Sequence, residues 1–409
     1  FNLSQDEISI DSNFFELGGT SIDLIRFNIR LNQVFKCNYP LSKIFKHPSI
    51  LELSNSISLF QKDLQNQKSL ENKNDYGHCE PIDEKVEKSV NYDLSYNQQP
   101  YFSTYGLLGD PVVFFETLDF IKVDLLKTAV LDLIKKHEVL RTVYVRKNNM
   151  FLQKVVPFEN MHSFLEIKNE EQWNNNLNSV LSKMKQINFN FFEGPLIKVM
   201  ILNSAKNKTH IVFAIDHSIF DGYSIGILKK EMEELYGANL KKTIPSYRNF
   251  VTEQNHFLHT STGENQKAYW LNRLKNLNLP LNKGYQKDYT KENYTRIFSK
   301  LINISNEFYT CLVFFAKRND LTVPSILLGV YNLVIFYLTD EFDITIQTQV
   351  SNRESKQFQS LDLKNMIGLF SNQILIRNKV EKNNSAIQFL QDVMNCYLND
   401  LENSDYPYW

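Results

Sequence analysis

The stretch His210-Ile211-Val212-Phe213-Ala214-Ile215-Asp216-His217-Ser218-Ile219-Phe220-Asp221-Gly222-Tyr223-Ser224 sets a histidine beside one aspartate and shortly ahead of another. A carboxylate neighbour fixes the tautomer of an imidazole and stabilises its cation, so His217 in this setting can accept a proton near neutral pH. The same residues also suit a structural turn, with Asp216 and Asp221 capping a strand-to-helix corner, Gly222 supplying an unusual backbone angle and His217 merely hydrogen-bonded. Spacing alone favours the structural reading, because clustered titratable groups often serve the fold. No second histidine sits at a helical or hairpin distance that would complete a ligand set, so no metal is expected.

These residues need elements to position them. Ile211 to Ile215 is an unbroken apolar run, the pattern of a fully buried strand that delivers charge at its end. A strand over Leu196 to Leu202 precedes it across Ala205-Lys206-Asn207-Lys208, and a helix follows Ser224 to about Tyr236. Upstream, a helix ends near His137 and a strand runs over Leu140 to Val145. Asn148-Asn149 is a hairpin turn into Met150 to Val156, and Arg141 is read as a structural ion-pair partner. Downstream, Phe308 to Lys317 and Val323 to Tyr337 read as helices, and Phe342 to Val350 as a buried strand leading to Asn352-Arg353. The alternation predicts a mixed α/β domain.

The first 61 residues carry a second candidate site. A helix over Ser21 to about Phe35, with Leu24, Phe27, Leu31 and Phe35 on one face and Ile25 and Ile29 widening it, is followed by two shorter helical pieces, which makes a small helical bundle. Gly18-Gly19-Thr20-Ser21 puts a serine at the first turn, where exposed N–H groups and the helix dipole stabilise an anion. Thr20 or Ser21 as a simple N-cap is the competing reading, and the residues alone favour it. From Lys62 to Val90 the chain is polar, has no apolar stripe and contains Pro81, so it reads as a tether between domains.

Composition narrows the classes. With 409 residues, 43% of them hydrophobic and 13% aromatic, the chain can fill two or three cores. Lys+Arg of 45 against Asp+Glu of 46 offers no field for nucleic acid or an acidic membrane. Cys37, Cys79, Cys311 and Cys396 are scattered without CxxC spacing, which fits a reducing, cytoplasmic setting better than a disulfide framework. The longest apolar run, Ile326 to Leu338, contains Asn332 and falls short of the roughly 20 residues that span a bilayer.

Asp216-His217-Ser218-Ile219-Phe220-Asp221-Gly222 resembles the His-His-x-x-x-Asp-Gly signature of the condensation domains of nonribosomal peptide synthetases, relatives of chloramphenicol acetyltransferase, with Asp216 standing where the signature has its first histidine. Asn13-Phe14-Phe15-Glu16-Leu17-Gly18-Gly19-Thr20-Ser21, continued through Phe45 and Pro48-Ser49-Ile50-Leu51-Glu52-Leu53, resembles the phosphopantetheine attachment motif of peptidyl carrier domains. Further landmarks of the condensation family follow in order. They are Leu94-Ser95-Tyr96-Asn97-Gln98, Lys136-His137-Glu138-Val139-Leu140-Arg141-Thr142, Pro245-Ser246-Tyr247-Arg248-Asn249-Phe250, Ala268-Tyr269-Trp270, Met366-Ile367-Gly368-Leu369-Phe370-Ser371-Asn372 and Asp405-Tyr406-Pro407.

The resemblance implies a small all-α, four-helix-type carrier domain over residues 1–61 with its first helix missing and a linker over 62–91. It also implies an α/β condensation domain of two chloramphenicol-acetyltransferase-like halves, 92–263 and 264–409, the second truncated at its C-terminus. It implies that Ser21 carries a covalent phosphopantetheine arm installed by a phosphopantetheinyl transferase. His217 would deprotonate or hold the attacking amine, Asp221 orient the motif, Gly222 permit the turn, and Asp216 be a structural partner to Arg141 or Arg353. Expected partners are adenylation and other carrier domains and aminoacyl or peptidyl thioesters, with no nucleic acid and no membrane. Heterocyclization stays open as an alternative through the Asp216, Asp221 and Ser224 pattern, although His217 and Asn372 fit condensation better. Epimerization, terminal cyclization and a non-catalytic docking module remain open as well.

Overall fold

The computed structural model describes residues 8–14, 17, 21–35, 37, 39–40, 43–44, 49–68, 91–103, 111–119, 122–173, 176–204, 208–236, 246–277, 302–381 and 383–407. Gly18-Gly19-Thr20, residues 69–90 of the expected tether and the 205–207 turn lie outside them. The chain divides into two compact units, one of Phe1–His78, Asn265–Val350 and Gln373–Tyr408, the other of Cys79–Glu264 and Ser351–Asn372, with Trp409 grouped to it. Residues 351–372, which the sequence sets in the second half of the condensation domain, therefore group with the first half.

In the first unit, α1 spans Ser21–Phe35 and α2 spans Ile50–Lys68. Leu24 and Leu31 of α1 are buried as expected, but Phe27 and Phe35 are exposed and the inward face is completed by Asn28 and Asn32. The reason is a polar ladder. Asn28 Nδ2 donates to the Tyr39 carbonyl (2.8 Å), Asn32 Nδ2 donates to Asn28 Oδ1 (3.0 Å), and the Tyr39 amide donates to Asn32 Oδ1 (2.7 Å), so two asparagines hold the returning chain. α2 opens with a reciprocal cap in which Glu52 N donates to Ser49 Oγ while Ser49 N and Oγ donate to Glu52 Oε2. It is longer than α1, not a short piece, and it continues to Lys68 into the stretch read as tether.

The second unit holds β1 (Tyr92–Asp93), α3 (Gln99–Ser103), β2 (Pro111–Asp119), α4 (Val123–Lys136), β3 (Thr142–Lys147), β4 (Met150–Val155), β5 (Leu165–Lys168), α5 (Leu177–Met184), β6 (Ile197–Ser204), β7 (Lys208–Asp216), α6 (Gly222–Tyr236) and α7 (Tyr247–Leu258). Its main sheet has the order β2-β7-β6-β5, with β7 antiparallel to both neighbours and β5 parallel to β6. Because β7 is central, both of its faces are covered. Val212 and Ala214 pack with Val180 and Met184 of α5, and the alternate residues Ile211, Phe213 and Ile215 are equally buried. That double coverage is why the strand reads as an unbroken apolar run.

A smaller sheet, β1-β4-β3, turns at Asn148 and Asn149, whose φ values of 49° and 61° are those of a tight hairpin. Its third strand starts at Thr142 because Glu138–Arg141 forms one 3-10 turn. Arg141 is structural, but through carbonyl groups: its guanidinium donates to Ile134 O (3.1 Å) and Val156 O (2.7 Å). The expected ion-pair role is replaced by this tie between helix end and strand end.

The remainder of the first unit comprises α8 (Ser261–Arg273, from Asn265 onward), α9 (Asn306–Arg318), α10 (Val323–Thr339), β8 (Asp343–Val350), β9 (Asn372–Lys379, from Gln373 onward) and α11 (Ala386–Glu402). β8 pairs with β9, and its residues are mostly half-buried with Gln347 and Gln349 exposed, so the strand is less buried than expected. Asp400 on α11, fully buried, accepts from Tyr269 Oη and from Arg273 Nε (3.0 Å) and Nη2 (3.2 Å), tying that helix to α8. Asn332 within the apolar α10 is buried and bonds the Leu328 carbonyl. Among the described residues no single helix is long and apolar enough to cross a membrane.

Candidate active site

β7 ends at Asp216, a 3-10 turn takes His217–Ile219, and α6 begins at Gly222, so the motif occupies one strand-turn-helix corner. Asp216 is fully buried. Its Oδ1 accepts from the Ser218 amide (2.9 Å) and hydroxyl (2.5 Å), which caps the turn from its first residue. The expected arginine partners are engaged elsewhere, Arg141 on carbonyls and Arg353 on Asp221.

Asp221 anchors the other end. Its Oδ1 accepts from Ser224 N (2.9 Å), Ser224 Oγ (2.8 Å) and Arg353 Nη2 (2.8 Å), and its Oδ2 accepts from the Phe370 amide (3.1 Å). Arg353 is itself buried, lies over the rings of Phe370 (4.2 Å) and Tyr223 (4.6 Å), and donates through Nη1 to the carbonyls of Leu363 and Met366. Burial pulls this guanidinium below its ordinary value while the Asp221 carboxylate opposes that pull. Residues 351–372 are thereby fastened onto the motif. Tyr247 Oη donates to Leu369 O (2.7 Å), Asn97 Nδ2 donates to Phe370 O (3.0 Å) and Ser371 O (2.7 Å), and Gln254 Nε2 donates to Asn97 Oδ1 (2.7 Å). Asn372, which follows, is buried.

His217 differs from both aspartates. It is half-buried, with the Tyr101 ring 6.0 Å away, and its Nδ1 is buried without a hydrogen-bond partner. With Nδ1 enclosed, Nε2 is the ring nitrogen left to meet a substrate. Gly222 does not work as expected. Its φ is not positive, and a Cβ built there meets no heavy atom within 4 Å, so the missing side chain leaves open space rather than permitting the turn.

The sequence did not single out the residues behind the turn. Gln98 Nε2 lies 3.0 Å from the Ser218 carbonyl, 2.9 Å from Gln153 Oε1 and 3.2 Å from Tyr144 Oη, and Tyr144 Oη donates to the same carbonyl (3.2 Å). Burial drives the Tyr144 phenol well above its ordinary value, keeping it a donor. The signal that could have found Gln98 is its place in Leu94-Ser95-Tyr96-Asn97-Gln98; Tyr144 carries none beyond strand periodicity. Among the described residues no cluster could hold a metal ion.

Ser21 is the first residue of α1. The one acidic residue of that helix's first turn is Asp23.

Residues 112–409 match the family model of the condensation domain, and residues 1–57 match that of the phosphopantetheine attachment site. Tyrocidine synthase 3 of Brevibacillus parabrevis is 26% identical over 99% of this chain, which spans 6% of that relative's length. Among solved structures, the epimerization domain from the third module of tyrocidine synthetase B aligns with a TM-score of 0.66 and 16% identity, over 78% of this chain and 74% of that one. The first condensation domain of the calcium-dependent antibiotic synthetase aligns with a TM-score of 0.62 and 12% identity, over 78% of this chain and 76% of that one. These neighbours share the two-lobed α/β fold.

Proposed function

The chain belongs to the condensation-domain family, with a phosphopantetheine attachment site ahead of it, and on that premise we propose that it forms an amide bond in nonribosomal peptide synthesis. Residues 1–61, with the rest of α2, act as the carrier of the donor, 69–91 as the tether, and 92–409 as the condensation domain. The phosphopantetheine arm on Ser21 supplies a thiol that holds an aminoacyl or peptidyl group as a thioester. The acceptor is an amine on another carrier. As that nitrogen bonds to the thioester carbonyl carbon, the carbon–sulfur bond breaks and the nitrogen's proton leaves to the departing sulfur.

His217 is the group we place against the amine, accepting its N–H at Nε2 so that the lone pair is aimed at the carbonyl carbon. One observation carries this reading. Of the motif's three ionisable side chains, Asp216 and Asp221 are buried and bonded into the turn and the Arg353 tie, and His217 alone retains exposure. Ser224 and Asp221 are likewise bonded to each other and to Arg353, which supports amide formation over the heterocyclization pattern that would need them at the substrate. Adenylation domains that load the carriers, a phosphopantetheinyl transferase and a cytoplasmic setting complete the proposal.

The test supplies the chain, loaded on Ser21, with a second carrier bearing an amino acid, and follows the second carrier by intact mass. Growth of its acyl group by the donor unit, lost in His217→Ala, supports the reading. No transfer by the unmodified chain overturns it, and a product with water lost in a ring reassigns it to cyclization.

A further inference from the structure

Every polar backbone and side-chain group of Ser218 is bonded, and by residues far apart in the chain. Its N–H and Oγ donate to Asp216 Oδ1, while its carbonyl faces Gln98 Nε2 and Tyr144 Oη. Gln98 is held in turn at Oε1 by the Ser95 amide (2.9 Å) and at Nε2 by Gln153 Oε1 (2.9 Å), and Gln153 Nε2 donates to Asp93 O (2.7 Å). Asp216, Ser218, Gln98, Tyr144 and Gln153 are all fully buried. A buried polar network is costly unless it is complete, so three such side chains converging on Ser218, with Gln153 behind one of them, need a purpose that apolar packing would not serve.

Ser218 immediately follows His217, whose own Nδ1 has no hydrogen-bond partner. With no bond at that nitrogen, the ring's placement rests on the backbone that carries it and on packing beside Tyr101, 6.0 Å away. We propose that Asp216, Ser218, Gln98 and Tyr144 form a clamp on the 216–218 turn that sets the orientation of the His217 ring, and that they are positioning residues for the amide-forming step. The rate effect rests on the function proposed above, whereas the orientation of the ring does not. Asp216, the residue that departs from the signature, then acts by capping the Ser218 amide and hydroxyl.

The test uses the full chain with isotope-labelled histidine, the His217 ring signals being the set that disappears in His217→Gln. Ser218→Ala removes the hydroxyl bond and Tyr144→Phe removes one carbonyl donor while keeping the ring, and each is measured well below its melting temperature. The expected result is one sharp His217 set in the unmodified chain that shifts or splits in both variants, with the other seven histidines unchanged. In the carrier-to-carrier assay kcat falls about tenfold or more with KM within about twofold, as misorientation without loss of binding requires. Unchanged His217 signals in both variants overturn the clamp, whatever the rate does. If the unmodified chain makes no amide bond, the proposed function fails and the ring signals still decide the clamp.

Discussion

Arg353 Nη2 sits 2.8 Å from Asp221 Oδ1 with both side chains almost wholly withdrawn from solvent, which joins residues 351–372 to a motif more than a hundred residues earlier in the chain. Breaking a buried pair by removing one partner leaves an uncompensated charge and costs about 3–5 kcal/mol. Asp221→Asn and Arg353→Met should each lower the unfolding free energy by that order in urea titrations. The double variant should recover part of the loss, and a double variant as unstable as the sum of the two singles would mean the pair is not coupled.

His217→Ala should leave the melting temperature within a few degrees of the unmodified chain, because the ring has no bond at Nδ1. It should slow amide formation roughly 10²–10⁴-fold, the range for one acid–base group. Full retention of rate in the carrier-to-carrier assay would take the histidine out of the chemistry.

Two glycines of the site should respond oppositely. At Gly222 an added Cβ meets nothing within 4 Å, so Gly222→Ala should change stability by less than about 1 kcal/mol, toward gain if the α6 terminus profits from alanine. At Gly368 the same atom would lie 2.4 Å from Tyr247 Cδ2 and 2.9 Å from Phe370 Cε2, and both rings are buried, so Gly368→Ala should cost about 1–3 kcal/mol. Thermal melts of the two variants side by side make the comparison.

Alkaline pH should unfold the second unit through its buried phenols. Burial raises Tyr92 to about 12, partly offset by its bond to Thr142, and burial also raises Tyr144 and Tyr247. A group whose folded pKa exceeds its unfolded value of 10 gives stability that is fully present below pH 10 and is lost as pH climbs through the folded value. Absorbance of ionised tyrosine and far-UV circular dichroism, recorded together from pH 9 to 12.5, should show a late phenolate step coincident with unfolding. Smooth ionisation of all 20 tyrosines near pH 10 in a folded chain would contradict this.

Incubation with coenzyme A and a phosphopantetheinyl transferase should add the mass of one arm to the chain and none to Ser21→Ala. An arm on Ser21→Ala would place the attachment elsewhere.

What the sequence by itself determined is local. The apolar run of β7, the hairpin at Asn148-Asn149, the α1 boundaries and the order of motifs all follow from periodicity and turn chemistry, which short windows of chain encode. A helical period also names a face, yet Phe27 and Phe35 lie outside and Asn28 and Asn32 inside, because the buried carbonyl and amide of Tyr39 had to be satisfied. Tertiary structure alone decided that Arg353 belongs to Asp221 rather than Asp216, and that Gln98 and Tyr144 meet behind the same turn. Those pairings join residues 74 to 132 positions apart, and no periodicity reaches that far. Which of several available partners a buried charge takes depends on which segments the packing brings within hydrogen-bond distance, a property of the folded chain and not of any stretch of it.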